Sequence, residues 1–188
     1  IHGNAQHEET RATASRALAE GGGHYLVVLD LAETDRVCDY IRHGGDAEKR
    51  AAFLRQFENA CSPGFDPDVH LHQVGVANQT TMLRSETEEV QRRVRAAIAD
   101  RDGGDGGGNF RFFDTIFGAT QERQDALFDL LNSPPDLLIV VGGYNSSNTT
   151  HLAEIGEKKG VPTYFIRNAS CIHSATEIAR YDLHEKRE

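Results

Sequence analysis

Asp136-Leu-Leu-Ile-Val-Val-Gly-Gly-Tyr-Asn-Ser-Ser-Asn-Thr-Thr150 is the stretch on which the fold turns. Leu137 to Val141 form a short apolar run without alternation, the pattern of a strand buried on both faces of a parallel sheet. Gly142-Gly143 permit a sharp turn, and Ser146, Ser147, Asn148 and Thr149 stand where a helix should begin. Strand, glycine turn and hydroxyl- and amide-rich helix start together aim unpaired N–H groups and the positive end of a helix dipole at one spot, which favours an anion such as a phosphate. The plainer alternative is that Ser147 or Asn148 only caps the helix.

Upstream, Asn132-Ser-Pro-Pro135 stops a helix carrying Ala126, Leu127, Leu130 and Leu131, which itself follows a strand at Phe110–Phe113. The glycine-rich stretch Arg101–Asn109 reads as a flexible loop. Val74–Leu83 repeats the opening logic, a short strand leaving into Asn78, Gln79, Thr80 and Thr81. Ser85 and Glu88 fit a capping box for a helix with Val90, Val94, Ala97 and Ile98 inward. Before it come a strand at His24–Asp30, a helix from Glu33 to Ile41 that makes Cys38 a core residue, and a helix from Asp46 to Cys61. The first segment, His7 to about Glu20, is helical with Ala14, Ala17 and Leu18 on one face. Downstream, a helix ends at Gly160, Thr163–Ile166 forms a last strand, and Ser170 onward is expected to be a helical tail. Alternating strands and helices predict an α/β protein with mostly parallel sheets. Polar strand exits at 78–81, 114–120 and 145–150 lie where ligands of such sheets bind.

A net charge of −9 leaves no basic stripe for nonspecific nucleic-acid binding. No apolar run reaches the ~18 residues of a membrane span. Cys38, Cys61 and Cys171 are odd in number and far apart, which supports neither a disulfide framework nor a self-contained zinc site. Asn-x-Ser/Thr triplets at Asn78, Asn145, Asn148 and Asn168 could accept glycans only in a secreted protein, and nothing else in the sequence looks secreted. Opening on Ile1-His2-Gly3 without an initiator Met, the sequence reads as though cut from a longer protein.

Three motifs in register, Val76-Ala-Asn-Gln-Thr-Thr-Met-Leu83, Asp114-Thr-Ile-x-x-Ala-Thr-Gln-Glu-Arg-Gln-Asp-Ala126 and Val140-Val-Gly-Gly-x-Asn-Ser-Ser-Asn-Thr149, follow His7-Glu-Glu-Thr10. Together they closely resemble the IspH/LytB family of 4-hydroxy-3-methylbut-2-enyl diphosphate reductases, in its plant and cyanobacterial wording. The resemblance implies tandem small α/β domains: residues 1–113 as the second domain of that fold without its N-terminal part, and 114–188 as part of the third. It also implies a reductive dehydroxylation in the methylerythritol phosphate route to isoprenoids. There a 4Fe–4S cluster held by three cysteines binds the substrate hydroxyl, and a ferredoxin-like donor supplies two electrons, giving isopentenyl and dimethylallyl diphosphate. The family's acidic proton-relay residue falls on Glu9 and its substrate-contacting threonine on Thr80. Its diphosphate contacts fall on His7, Ser146, Ser147 and Asn148. Taken without the resemblance, Glu9 is a solvated first-turn acid, Thr80 a turn residue, and His7-Glu8 no zinc motif because position 11 is Arg.

The sequence also departs from the family. Phe117 occupies the position of a cluster-ligand cysteine, and phenylalanine cannot coordinate iron. The other two ligand cysteines, two diphosphate-contacting histidines and the C-terminal Ser-Gly-Ala-Ser-Thr-Pro segment of the family have no counterpart here, and Cys38, Cys61 and Cys171 do not align with ligands. The expectation is a plastid protein of reductase ancestry that holds no cluster, with Phe117 packed into the vacated space and a protein partner covering truncated sheet edges. The competing expectation is a fragment of an active iron–sulfur reductase.

Overall fold

The computed structural model describes every residue except Glu20, Gly106 and Asp114, so the expected end of the first helix, one glycine of the 101–109 loop and the first residue of the second motif lie outside the described residues. The chain divides into two units, Ile1–Ile116 and Phe117–Glu188.

In the first unit, β1 (Val74–Val76) pairs in parallel with β2 (Phe110–Phe112), Val74 opposite Phe110 and Val76 opposite Phe112. On the other side of β1, His2 bridges in parallel to both Asn78 and Val28, and Leu26 bridges antiparallel to Cys61. The expected strand at His24–Asp30 makes only isolated bridges, to His2 and Cys61. Helices form where the apolar spacing predicts them: α1 (Glu8–Ala19), α2 (Leu31–His43), α3 (Ala47–Gln56), the short α4 (Pro67–His70) and α5 (Arg84–Asp102). Asp30 and Asp46 cap α2 and α3, each carboxylate accepting an N–H at 2.8 Å, from Glu33 and Lys49. The Asp30 cap starts α2 two residues before the expected Glu33.

Three expectations fail locally. Helix α3 stops at Gln56, and Cys61 leaves it to pair with Leu26. Ser85 lies inside the first turn of α5, whose N-cap is Leu83 with no side-chain bond, so Ser85 and Glu88 form no capping box. Ala14 of α1 is buried as expected, but Leu18 is exposed and Thr10 is the other residue the helix buries. The core collects Val37, Cys38 and Ile41 of α2, Phe53 of α3, Phe57, and Val90, Val94 and Ile98 of α5. Phe57 is 1% exposed, a burial that contributes roughly 1.5–3 kcal/mol. Cys38 is the core residue it was expected to be, and burial pushes its thiol up to about 11.

In the second unit, β3 (Leu138–Val141) pairs in parallel with β4 (Thr163–Ile166). Helices α6 (Gly118–Leu131) and α7 (Ser147–Lys158) complete the βα pattern. Strand β3 is not buried on both faces: Val140 packs with Ala153 and Phe165, while Ile139 and Val141 are 41% and 60% exposed. Helix α7 packs on one face of the two-stranded sheet, and on the other face Ile139 and Val141 are exposed while Ile166 is buried. The expected helical tail is instead a 3-10 turn at Ala169–Cys171 and a hairpin of β5 (Ile172–Ser174) with β6 (Glu177–Ile178). Tyr181 then donates its N–H to the Phe165 carbonyl at 2.8 Å and stacks on Tyr144, so the tail gains more by closing the small core than by winding a helix. Among the described residues no helix is long and apolar enough to cross a membrane.

Candidate functional site

In the first unit the structure brings Glu9 and Thr80 together across 71 residues of sequence. The Glu9 carboxylate accepts the Thr80 backbone N–H at 2.8 Å and the Thr80 hydroxyl at 3.0 Å. His7 stands just before α1, where its Nδ1 accepts the Glu9 N–H at 3.3 Å and its carbonyl accepts the Arg11 N–H at 3.0 Å. With Nδ1 accepting, a neutral His7 carries its proton on Nε2 and can donate it to an anion.

Gln79, which the sequence reading placed only in a polar strand exit, holds this arrangement. It is 2% exposed, and its Oε1 accepts the Asn4 N–H and the Thr10 hydroxyl at 3.1 and 3.2 Å while its Nε2 donates to Thr81 Oγ1 at 2.7 Å. Gly3 is the other unforeseen part: a Cβ there would lie 2.9 Å from both Gln79 Cβ and Thr10 Oγ1, so only glycine lets α1 approach the 78–81 turn this closely. The signal for Gln79 was its place between Asn78 and Thr80. Gly3 gave none.

In the second unit the cap of α7 is Ser146, not Ser147 or Asn148. Ser146 Oγ accepts from the Thr149 N–H at 3.4 Å and the Thr149 hydroxyl at 3.0 Å. Gly142 is required because a Cβ there would sit 2.5 Å from Thr149 Oγ1. Ser147 Oγ lies 3.4 Å from His151 Nε2, and His151 Nδ1 lies 3.1 Å from Glu154 Oε2. That hydrogen bond to His151 holds the Glu154 carboxyl below its usual range. Asn148 Oδ1 is buried without a partner. A half-turn of its amide exchanges Oδ1 for Nδ2, so the position can present an N–H to an anion beside the helix start.

Phe117 precedes α6, its carbonyl accepting the Thr120 and Gln121 N–H groups at 2.9 and 3.1 Å. Its ring is 63% exposed, which corrects the expectation that it fills a vacated space. The Phe117 side chain offers no donor to iron, so this position supplies no cluster ligand.

The family described as LytB protein matches residues 1–183. The chain belongs to the LytB family. It is 51% identical over 98% of its length to the 4-hydroxy-3-methylbut-2-enyl diphosphate reductase of Thermosynechococcus vestitus, of which it covers 44%. It is 53% identical over 99% of its length to the protein of the same name from Gloeobacter violaceus, of which it covers 43%. The chain thus spans less than half the length of these LytB relatives, both cyanobacterial. A solved structure of (E)-4-hydroxy-3-methyl-but-2-enyl diphosphate reductase, 24% identical, matches 74% of this chain and 52% of that one at a TM-score of 0.33.

Proposed function

We propose that this LytB-family chain binds an allylic diphosphate and positions a proton donor for it without carrying out the reductive step on a cluster of its own. The observation that carries the reading is a contrast within one chain: Thr80 is hydrogen-bonded to Glu9, while the position expected to hold a ligand cysteine is the exposed Phe117. Each unit offers anion donors of its own: His7 Nε2–H and the Thr80 hydroxyl in the first, and Ser147, Asn148 and the N–H groups at the start of α7 in the second. Within the first unit Glu9, hydrogen-bonded to Thr80, is the residue that would pass on a proton. We place the chain in a plastid, as the cyanobacterial relatives suggest, where it serves as a structural or assembly subunit of a larger complex. The exposed side chains of Ile139 and Val141 are the surface that a protein partner would cover there.

A second reading keeps turnover. It is favoured by the intact Glu9–Thr80 geometry and requires thiolates and ferredoxin-borne electrons from outside these residues. Calorimetric titration with 4-hydroxy-3-methylbut-2-enyl diphosphate, followed by product analysis under a strong one-electron reductant, separates the two. The proposal expects saturable binding, weakened at least tenfold in the Asn148→Ala variant, and no isopentenyl or dimethylallyl product. Product formation supports the second reading, and absence of binding removes both.

A further inference from the structure

Ser147, His151 and Glu154 stand at i, i+4 and i+7 of α7 and so share one face of the helix. Glu154 Oε2 lies 3.1 Å from His151 Nδ1, and His151 Nε2 lies 3.4 Å from Ser147 Oγ. Ser146 supplies the cap by accepting the Thr149 N–H, so the Ser147 hydroxyl is not needed to start the helix.

Counting protons along this row gives it a direction. The bond from His151 holds the Glu154 carboxyl below its usual range, so near neutral pH it is ionised and can only accept. His151 Nδ1 must then carry a hydrogen, and in the neutral ring Nε2 is left with a lone pair. That lone pair takes the one proton of the Ser147 hydroxyl, leaving the hydroxyl only lone pairs to offer an anion. When the ring gains a proton, both its nitrogens donate, Nε2–H points at Ser147 Oγ, and the hydroxyl proton turns away from the ring. The same hydroxyl is then a donor to an anion at the first turn of α7.

We infer that His151, held by Glu154, is a positioning residue that sets whether the Ser147 hydroxyl accepts from or donates to an anion at the start of α7. The inference rests on the reading of that helix start as a diphosphate site. Further charges acting on Glu154 are Lys158 of α7 and His184, from the segment after β6, whose Nε2 lies 3.8 Å from Glu157 Oε2. The strands beneath α7 add no charge: β3 has no ionisable residue, and β4 has only Tyr164. The residues that α6 buries, Thr120, Gln124, Leu127 and Leu131, are not ionisable either.

The test is calorimetric titration of the whole chain with inorganic diphosphate at about pH 6 and about pH 8, which span the change in histidine charge. The probe's own protonation and any contribution of His7 are common to the parent and its variants, and cancel between them. The parent's gain in affinity from the higher to the lower pH should exceed that of His151→Gln, and that of Ser147→Ala, by at least about fivefold, the scale of one charge-assisted hydrogen bond. A purely structural His151 would change affinity equally at both pH values, and that result overturns the inference while leaving the diphosphate reading in place. A gain retained in Ser147→Ala would show the His151 charge acting on the anion directly, and overturns the positioning role. His184→Gln should keep the parent's gain; its loss there assigns the effect to His184 and overturns the inference. No saturable binding by the parent at either pH removes the diphosphate reading and the inference with it. Nitrogen-15 shifts of the ligand-free chain give a readout that needs no anion: the neutral His151 ring should carry its proton on Nδ1, and a proton on Nε2 contradicts the proposed row.

Discussion

Replacing Glu9 by Ala should destabilise the first unit more than any other single change at the candidate site. The carboxylate accepts two bonds from Thr80, at 2.8 and 3.0 Å, and no nearby group replaces it. Hydrogen bonds to a charged acceptor contribute roughly 1.5–3 kcal/mol each, and the half-buried setting of Glu9 and Thr80 argues for the lower end. The expected loss for Glu9→Ala is therefore about 2–4 kcal/mol. Glu9→Gln keeps an acceptor for the Thr80 N–H and should lose about 1 kcal/mol, and Thr80→Ala, which removes only the hydroxyl bond, about as much. The double variant should be less destabilised than the sum of Glu9→Ala and Thr80→Ala, because both delete the same contact. Urea unfolding followed by far-ultraviolet circular dichroism measures all four, the chain having no Trp to report by fluorescence. A Glu9→Ala loss below about 0.5 kcal/mol, or strict additivity in the cycle, would refute the claim that this pair ties α1 to the 78–81 turn.

Gly3→Ala inserts a methyl 2.9 Å from Gln79 Cβ and Thr10 Oγ1, and should cost about 1–3 kcal/mol in the same urea assay while lowering diphosphate affinity. Ser147→Ala should weaken binding of inorganic diphosphate severalfold by calorimetry with an unchanged unfolding midpoint, because Ser146, not Ser147, caps α7. Hydrogen bonds from Arg92 and Arg93 hold the Glu89 carboxyl down to about 2 from its ordinary 4.5. The folded-state value being the lower one, this contribution to stability is complete above pH 4.5 and is lost as pH falls toward 2. An acid titration of Glu89→Gln should accordingly be flatter than that of the parent between those limits.

Helices with a clear apolar stripe were legible in the sequence, because Val37, Cys38 and Ile41, or Val90, Val94 and Ile98, recur at helical spacing and bury as that spacing dictates. Helix starts were less so. Ser85 and Glu88 satisfy a capping pattern that the chain does not use, since Leu83 already stands at the helix start. Strands depended on partners that local pattern cannot show: His24–Asp30 has the composition of a strand but makes only isolated bridges, and Leu137–Val141 has a run suited to double burial but leaves Ile139 and Val141 exposed. The tail misled because Tyr181 gains its place by stacking on Tyr144, 37 residues away in sequence, which no helical window contains. At the candidate site, the motifs pointed to Glu9, Thr80 and the start of α7, and the structure brings Glu9 and Thr80 into contact. Gln79 and Gly3 act through close packing between distant segments, and a sequence without its contacts does not display that.

A chain proposed to bind the diphosphate while Phe117 stands at the position of a cluster ligand should hold no cluster of its own. Iron and acid-labile sulfide per chain, measured on protein isolated anaerobically, test it most directly. The account predicts no stoichiometric iron or sulfide in protein that still binds 4-hydroxy-3-methylbut-2-enyl diphosphate. Four irons and four sulfides per chain, the content of one 4Fe–4S cluster, would contradict it.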